Sequence, residues 1–120
     1  TNIRFGGALS GCELAEEFRN SDIFVMPSKS EGVPKVTQEA AACGLPLVIF
    51  GYYEAPSVLD GNNGFVVWSD ECFFNKVAEL ILSSDLREKM RGQSIAMASE
   101  WSWEVIAPQW FTKIQEVISS

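Results

Sequence analysis

A chain of 120 residues is long enough to build one hydrophobic core and too short for two independent lobes. Its composition, 47% hydrophobic and 21% charged, is ordinary for a folded globular domain and argues against a disordered or collagen-like polymer. Sixteen acidic and nine basic residues give a net charge of −7, which argues against a long basic face for binding a nucleic-acid backbone.

The cysteines and the most apolar stretch argue against a disulfide framework, a zinc site and a membrane span. Cys12, Cys43 and Cys72 are widely spaced and the chain has no histidine, which favours neither a disulfide framework nor a zinc site. We expect the three cysteines to be small core residues in a reducing compartment. Residues 40–50 are interrupted by Gly44 and Pro46 and fall short of the roughly 20 residues that a membrane span needs.

The first half of the chain alternates predicted strands and helices. Residues 3–7 are predicted to form a strand, 13–19 an amphipathic helix and 23–26 a strand buried on both faces. A helix over 34–43 is expected because Pro34 suits the first helical position and Gly44 suits the residue after the end.

The second half completes an α/β pattern. Strands are predicted over 47–50 and 64–68, with a turn at 60–64 between them. Helices follow over 71–83, 85–99 and 103–118, with Ser84 or Asp85 and Ser102 as caps. The alternation predicts a Rossmann-like parallel sheet with flanking helices, and no repeat or interior linker divides it.

The loop after the strand at 23–26 is the place where this architecture would bind a ligand. It leads into the helix at 34–43, whose free N–H groups and positive dipole end suit a diphosphate, and Gly32 leaves room for one. Glu31 and Glu39 would flank that anion and accept hydrogen bonds from hydroxyl groups. Alternatively, Glu39 pairs with Lys35 four residues earlier and Glu31 is an ordinary loop acid.

Other side chains near this loop also allow two interpretations. Lys29 and Lys35 either reach a phosphate or are solvated lysines. Tyr52 and Tyr53 either stack on a nucleobase or lie over the edge of the sheet. Near the C-terminus, core packing is expected for the tryptophans Trp101, Trp103 and Trp110.

The run from Pro27 to Val48, with Glu31-Gly32, Pro34 and Glu39-Ala40-Ala41-Ala42-Cys43-Gly44-Leu45-Pro46, closely resembles the E-x7-E signature of retaining GT-B-type glycosyltransferases, family four. The resemblance extends to residues 3–9, 13–22, 60–65 and 101–104 and so covers nearly the whole chain. It implies that residues 1–120 are a fragment of the C-terminal nucleotide-sugar-binding domain. The N-terminal acceptor domain and the first strands of this domain would then be absent.

The resemblance also implies roles for individual residues. Glu31 would contact the donor sugar as the catalytic-site residue, and Glu39 would bind the ribose hydroxyls. The backbone near a short segment would hold the diphosphate, namely Gly32, Val33, Pro34, Lys35 and Val36. No metal or other cofactor is expected, and the nucleotide-sugar donor is the substrate.

For the parent protein, the resemblance implies a hexosyltransferase that uses a UDP-hexose or UDP-N-acetylhexosamine. It would extend a polysaccharide, an O-antigen of lipopolysaccharide or a glycolipid, with the acceptor bound by the missing N-terminal domain. We expect the fragment alone to be inactive and able to self-associate. We expect the protein in the cytoplasm, peripheral at the inner membrane face where the acceptor is lipid-linked, and without nucleic-acid partners.

Two departures and two alternatives accompany this interpretation. Ser57 stands where the family commonly has a carboxylate, and the Arg/Lys pair that the family brings to the diphosphate would lie upstream of Thr1. A sugar-nucleotide epimerase of GT-B architecture would need histidine-bearing motifs, which this chain lacks. A stand-alone flavodoxin-like binding module is the other alternative, although the predicted strands end without the aspartate of a phospho-acceptor receiver.

Overall fold

The computed structural model describes residues 3, 5–7, 9–32, 35–101 and 112–118. Three strands form one parallel sheet in the order β1-β2-β3: β1 (Phe24–Met26), β2 (Leu47–Phe50) and β3 (Gly64–Val67). The helices are α1 (Gly11–Arg19), α2 (Lys35–Ala42), α3 (Asp70–Leu82) and α4 (Ser84–Ser99), and residues 112–118 are also helical.

The central strand β2 explains the layered architecture. All four of its residues are buried, and they alternate between two core clusters because successive side chains point to opposite faces. Leu47 and Ile49 pack with residues of α1 and α2, whereas Val48 and Phe50 pack with residues of α3 and α4. The predicted parallel sheet with helices on both faces is therefore confirmed.

The predicted helix over 34–43 is confirmed within the described residues as α2, and Pro34 lies outside them. Gly44 ends the helix with a φ of +83°, a conformation that a side chain disfavours. A Cβ at Gly44 would also lie 3.3 Å from the side chains of Arg91 and Ile95 on α4. The turn after α2 is therefore packed closely against α4.

Serine residues cap three of the helices. Ser10 forms a capping box with Glu13 at the start of α1, and the Ser69 hydroxyl accepts the N–H of Cys72 in α3. The α4 cap predicted at Ser84 or Asp85 is wrong, because Ser83 adopts the extended conformation and accepts the N–H of Leu86 at 3.1 Å. Ser83 is also the C-cap of α3, so one residue separates the two helices.

The strand predicted over 3–7 is not formed at the described positions Ile3 and 5–7. Phe5 is 93% exposed, and none of the strand pairs of β1, β2 and β3 involves the described residues of this segment. An apolar run needs a neighbouring ladder to become a strand. The expectation that all cysteines are core residues is also wrong, because Cys12 and Cys72 lie on exposed helix positions and only Cys43 is half-buried.

The structure tests part of what the sequence predicts for the C-terminal region. Trp101 packs against the core cluster of α1 and α2, which confirms its predicted role. Trp103, Trp110, the Ser102 cap and most of the helix predicted over 103–118 lie outside the described residues. In the described part of the chain, no helix is long and apolar enough to cross a membrane.

Candidate functional site

Two loops leave the sheet at the same edge. Because β1 and β2 run parallel, with Met26 opposite Ile49, their carboxyl ends lie side by side. The loop over 27–32 follows β1, and the loop over 51–57 follows β2. This edge, beside the start of α2, is where a doubly wound sheet binds its ligand.

Glu31 and Gly32 are exposed at this edge. A Cβ added to Gly32 would meet no atom of the described residues within 4 Å, so these residues leave the space above the loop open to a ligand. Val33 and Pro34, which the sequence also placed in the site, lie outside the described residues. The loop therefore presents a carboxylate and an unobstructed backbone next to the first turn of α2.

Glu39 and Lys35 are both exposed on α2, and Val36 is half-buried and packs against the core cluster of α1 and α2. No ion pair within 4 Å joins Lys35 to Glu39 in the part of the chain that the structure describes. The alternative in which Glu39 serves only as an ion-pair partner for Lys35 is therefore not realised.

Glu39 lines a groove of about 290 Å³ between α1 and α2. The other side chains that line it are small or apolar: Gly11, Ala15, Phe18, Ala42 and Cys43. Gly11 and Ala15 are four residues apart and therefore share one face of α1. Because neither residue has a large side chain, they leave room for the groove that Glu39 lines.

Ser57 stands where the resemblance implies a carboxylate, and its side chain lies inside the protein. It is buried, and its Oγ lies 2.6 Å from Oγ1 of Thr37, which is also buried in α2. Its carbonyl accepts a hydrogen bond from Nδ2 of Asn63 at 2.8 Å. Ser57 thus ties the loop over 51–57 to α2, and its hydroxyl is turned into the protein.

Tyr53 brings a second polar group to the edge next to Glu31. Its hydroxyl oxygen is buried and forms no hydrogen bond of normal geometry with the described residues. Burial raises the pKa of Tyr53 above its usual value, the charge of Glu31 raises it further, and the nearby Phe50 backbone offsets part of the increase. The tyrosine therefore stays neutral and can donate a hydrogen bond.

Tyr52 takes the position over the sheet that was one of its two predicted roles. Its ring stacks on Phe50 at a centroid distance of 5.8 Å and meets the Trp68 ring edge-on at 5.3 Å. Its hydroxyl donates to the Trp68 carbonyl. These contacts occupy the ring and the hydroxyl, so Tyr52 covers the end of β2.

Lys29 forms an ion pair with Asp70 at 2.8 Å and is not a free solvated lysine. Lys35, by contrast, forms no ion pair with another described residue. Of the two lysines near the candidate anion site, Lys35 is the one available to a phosphate.

Sequence reasoning missed several residues of this site. Gly11 lies before the helix predicted over 13–19, and nothing local showed that it and Ala15 would line a groove with Glu39. Tyr53 was singled out for stacking, yet its buried hydroxyl near Glu31 depends on the loop conformation. Asp70 carried no signal beyond its position at a helix start, because its partner Lys29 is 41 residues away.

The sequence profile of one protein family, "Glycosyl transferases group 1", matches residues 1–97. The curated relatives that match this chain are also named as glycosyltransferases. The chain is 31% identical over 109 residues to a D-inositol 3-phosphate glycosyltransferase of Segniliparus rotundus, a match that covers 88% of this chain and 24% of the relative. It is 29% identical over 100 residues to the amylovoran biosynthesis glycosyltransferase AmsD of Erwinia amylovora, covering 82% and 28%.

The name of a third relative includes its nucleotide-sugar. The chain is 29% identical over 117 residues to a GDP-mannose-dependent phosphatidylinositol monomannoside mannosyltransferase of Corynebacterium glutamicum, covering 88% of this chain and 30% of the relative. The chain thus spans about a quarter of the length of the relatives it matches.

A solved structure matches the fold as well. It is the pneumococcal O-GlcNAc transferase GtfA in complex with UDP and GlcNAc, with a TM-score of 0.72 and 25% identity. The match covers 90% of this chain and 23% of that protein. Profile, relatives and fold agree, and the chain belongs to the glycosyl transferases group 1 family.

Proposed function

We propose that this chain binds the nucleotide-sugar donor of a retaining glycosyltransferase at the carboxyl edge of its sheet. One observation carries the proposal: the family motif lies on an open loop and the exposed start of a helix. Glu31 and Gly32 stand before α2, and Glu39 stands on it without its local lysine partner. In this proposal the start of α2 holds the diphosphate.

The two glutamates take different parts of the donor. Glu39, at the groove beside Gly11 and Ala15, accepts hydrogen bonds from the ribose hydroxyls. Glu31, on the loop near Tyr53, accepts them from the hydroxyls of the donor sugar. Lys35 and the backbone next to Gly32, Val33, Pro34 and Val36 contribute to holding the diphosphate. Charged acceptors suit this task because they make the stronger hydrogen bonds.

For the whole protein we propose transfer of a hexose or N-acetylhexosamine from a UDP-sugar, with retained configuration and without a metal. The complex of GtfA with UDP supports UDP as the nucleotide of the donor. The name of the mannosyltransferase relative contains GDP-mannose, so GDP should be tested as well. The names of the relatives support a polysaccharide or glycolipid product. An acceptor bound by a further domain, inactivity of this chain alone and a cytoplasmic location belong to the same proposal.

The family membership favours this function over the two alternatives. An epimerase would need histidine in its site, and the chain has none. A phospho-acceptor module would need an aspartate at the end of a strand, and β1 and β2 end at Met26 and Phe50.

Titration calorimetry with UDP and GDP tests the proposal in the full-length protein. Glu39→Ala is expected to raise the Kd for the nucleotide about 5- to 150-fold, which corresponds to the ~1–3 kcal/mol of a lost charged hydrogen bond. Glu88→Ala is the matched control, because Glu88 is likewise an exposed fifth residue of its helix. Absence of nucleotide binding, or equal binding by the Glu39→Ala variant, would overturn the assignment.

Self-association of the isolated chain is a separate proposal, supported by the exposed face of α3. Phe74 is 69% exposed, Ile81 60% and Leu82 85%, and such apolar surface favours contact between copies. Sedimentation velocity over a concentration series is expected to show a growing dimer fraction. Replacing Ile81 and Leu82 with glutamate is expected to abolish it, and a monomer at every concentration of the unaltered chain would refute the proposal.

A further inference from the structure

Within the described part of the chain, one ion pair attaches the loop that carries Glu31 to another element of the domain. Apart from the contact of Lys29 with Asp70, residues 28–32 form no hydrogen bond or ion pair with other described residues. Loops held by so few contacts open at low free-energy cost. Lys29, two residues before Glu31, thus provides the ion pair of this loop.

Lys29 contacts two other elements of the fold at once. Its Nζ lies 2.8 Å from Oδ1 of Asp70, the first residue of α3, and 5.4 Å from the centroid of the Phe50 ring, at the end of β2. A cation over an aromatic face adds to the attraction of the ion pair. The hydrogen bond and the charge of Asp70 raise the pKa of Lys29, so the ammonium stays protonated.

A cavity under the loop makes this contact more important. It has a volume of about 290 Å³, and its lining consists of Pro27, Lys29, Phe50, Asp70, Phe73 and Phe74. On this side the loop has an open space where packed side chains would otherwise support it. Lys29 and Asp70 both line that space, and their ion pair ties the loop to the first residue of α3.

We propose that Lys29 is a positioning residue: its contacts with Asp70 and Phe50 hold the loop over 28–32 so that Glu31 faces the donor site. Lys29 acts through the loop and does not touch the donor. The inference rests on the proposed function for its consequence in nucleotide-sugar binding. Its structural part, the attachment of the loop, can be tested without any ligand.

A charge exchange provides the test. Lys29→Glu and Asp70→Lys each place like charges together, and the double variant restores an opposite pair of similar length. Order parameters from 15N relaxation of this chain are expected to fall at residues 28–32, from above about 0.8 to below about 0.6, in each single variant. They are expected to recover in the double variant.

The same variants in the full-length protein report on the donor site. Because Lys29 and Asp70 are 56% and 66% exposed, each single variant is expected to raise the Kd for the UDP-sugar only about two- to fivefold. The double variant is expected to bind like the unaltered protein. If Lys29 instead contacted the diphosphate, Asp70→Lys would not restore binding to Lys29→Glu.

Lys76 provides the matched control. It also combines an ion pair, to Glu79 at 3.3 Å, with a position 4.7 Å from an aromatic ring, that of Phe65, and it lies on α3 away from the loop. Lys76→Glu is expected to leave the order parameters of 28–32 and the Kd unchanged. Unchanged order parameters in Lys29→Glu would overturn the proposal, whereas a protein that binds no nucleotide would overturn only the proposed function.

Discussion

Replacing Gly64 with alanine is expected to destabilise the domain by about 3 kcal/mol, the upper range for an overpacked core. Gly64 starts β3 opposite Leu47 of β2, and a Cβ there would lie 2.1 Å from the Leu47 carbonyl oxygen. The obstacle is backbone, so no side chain can move aside. The two strands must separate locally, and β2 is the strand on which both core clusters depend.

Thermal and urea unfolding measure this effect, with a fall in Tm of roughly 10 °C or more for a domain of this size. Gly92→Ala is the control, because Gly92 lies exposed in α4 and its added Cβ would meet no atom within 4 Å in the part of the chain that the structure describes. That change is expected to stabilise the chain by about 0.5–1 kcal/mol. A Gly64→Ala variant as stable as the unaltered chain would show that β2 and β3 can accommodate a Cβ at this position.

Replacing Glu31 with alanine in the full-length protein is expected to lower the rate of sugar transfer about 100-fold or more while nucleotide affinity stays within about twofold. The reason lies in the proposed division of tasks, in which Glu31 holds the sugar at the reacting carbon and Glu39 holds the ribose. An interaction with the reacting group contributes mainly to the transition state.

Release of UDP from a panel of UDP-sugars, with and without acceptor, gives kcat and KM for this test, and calorimetry with UDP gives the affinity. Glu39→Ala is the informative comparison, because it is expected to weaken UDP binding first. If Glu31→Ala lost UDP affinity and Glu39→Ala did not, the two roles would be exchanged. If neither variant changed the rate or the affinity, the motif would have no part in donor binding.

Local patterns predicted most of the secondary structure. The run Leu47–Phe50 became a strand buried on both faces, and Gly44 ended α2 in the left-handed conformation that glycine favours. These predictions succeed because side-chain periodicity and backbone freedom act within a few residues. The strand predicted over 3–7 failed for the complementary reason, since its formation depends on a partner strand and no local pattern supplies one.

The candidate site also combines features that local patterns predict with contacts between distant residues that they do not predict. The spacing of Glu31 and Glu39 could be identified from the sequence, and it pointed to the family that the comparisons establish. The burial of Ser57 against Thr37 was not readable, because that contact joins residues 20 positions apart across two elements. Only the packed structure shows that Ser57 fastens a loop where the family pattern suggested a ligand contact.

The sequence by itself determined the fold class, the order of most elements and the position of the motif, because these follow from periodicity, turn residues and spacing along the chain. The tertiary structure decided which distant groups meet: Lys29 with Asp70, Glu39 with the groove beside Gly11, and Tyr53 near Glu31. Those contacts depend on the order and register of the strands and on how each helix packs on the sheet. Such geometry is set by the whole core and not by any segment alone.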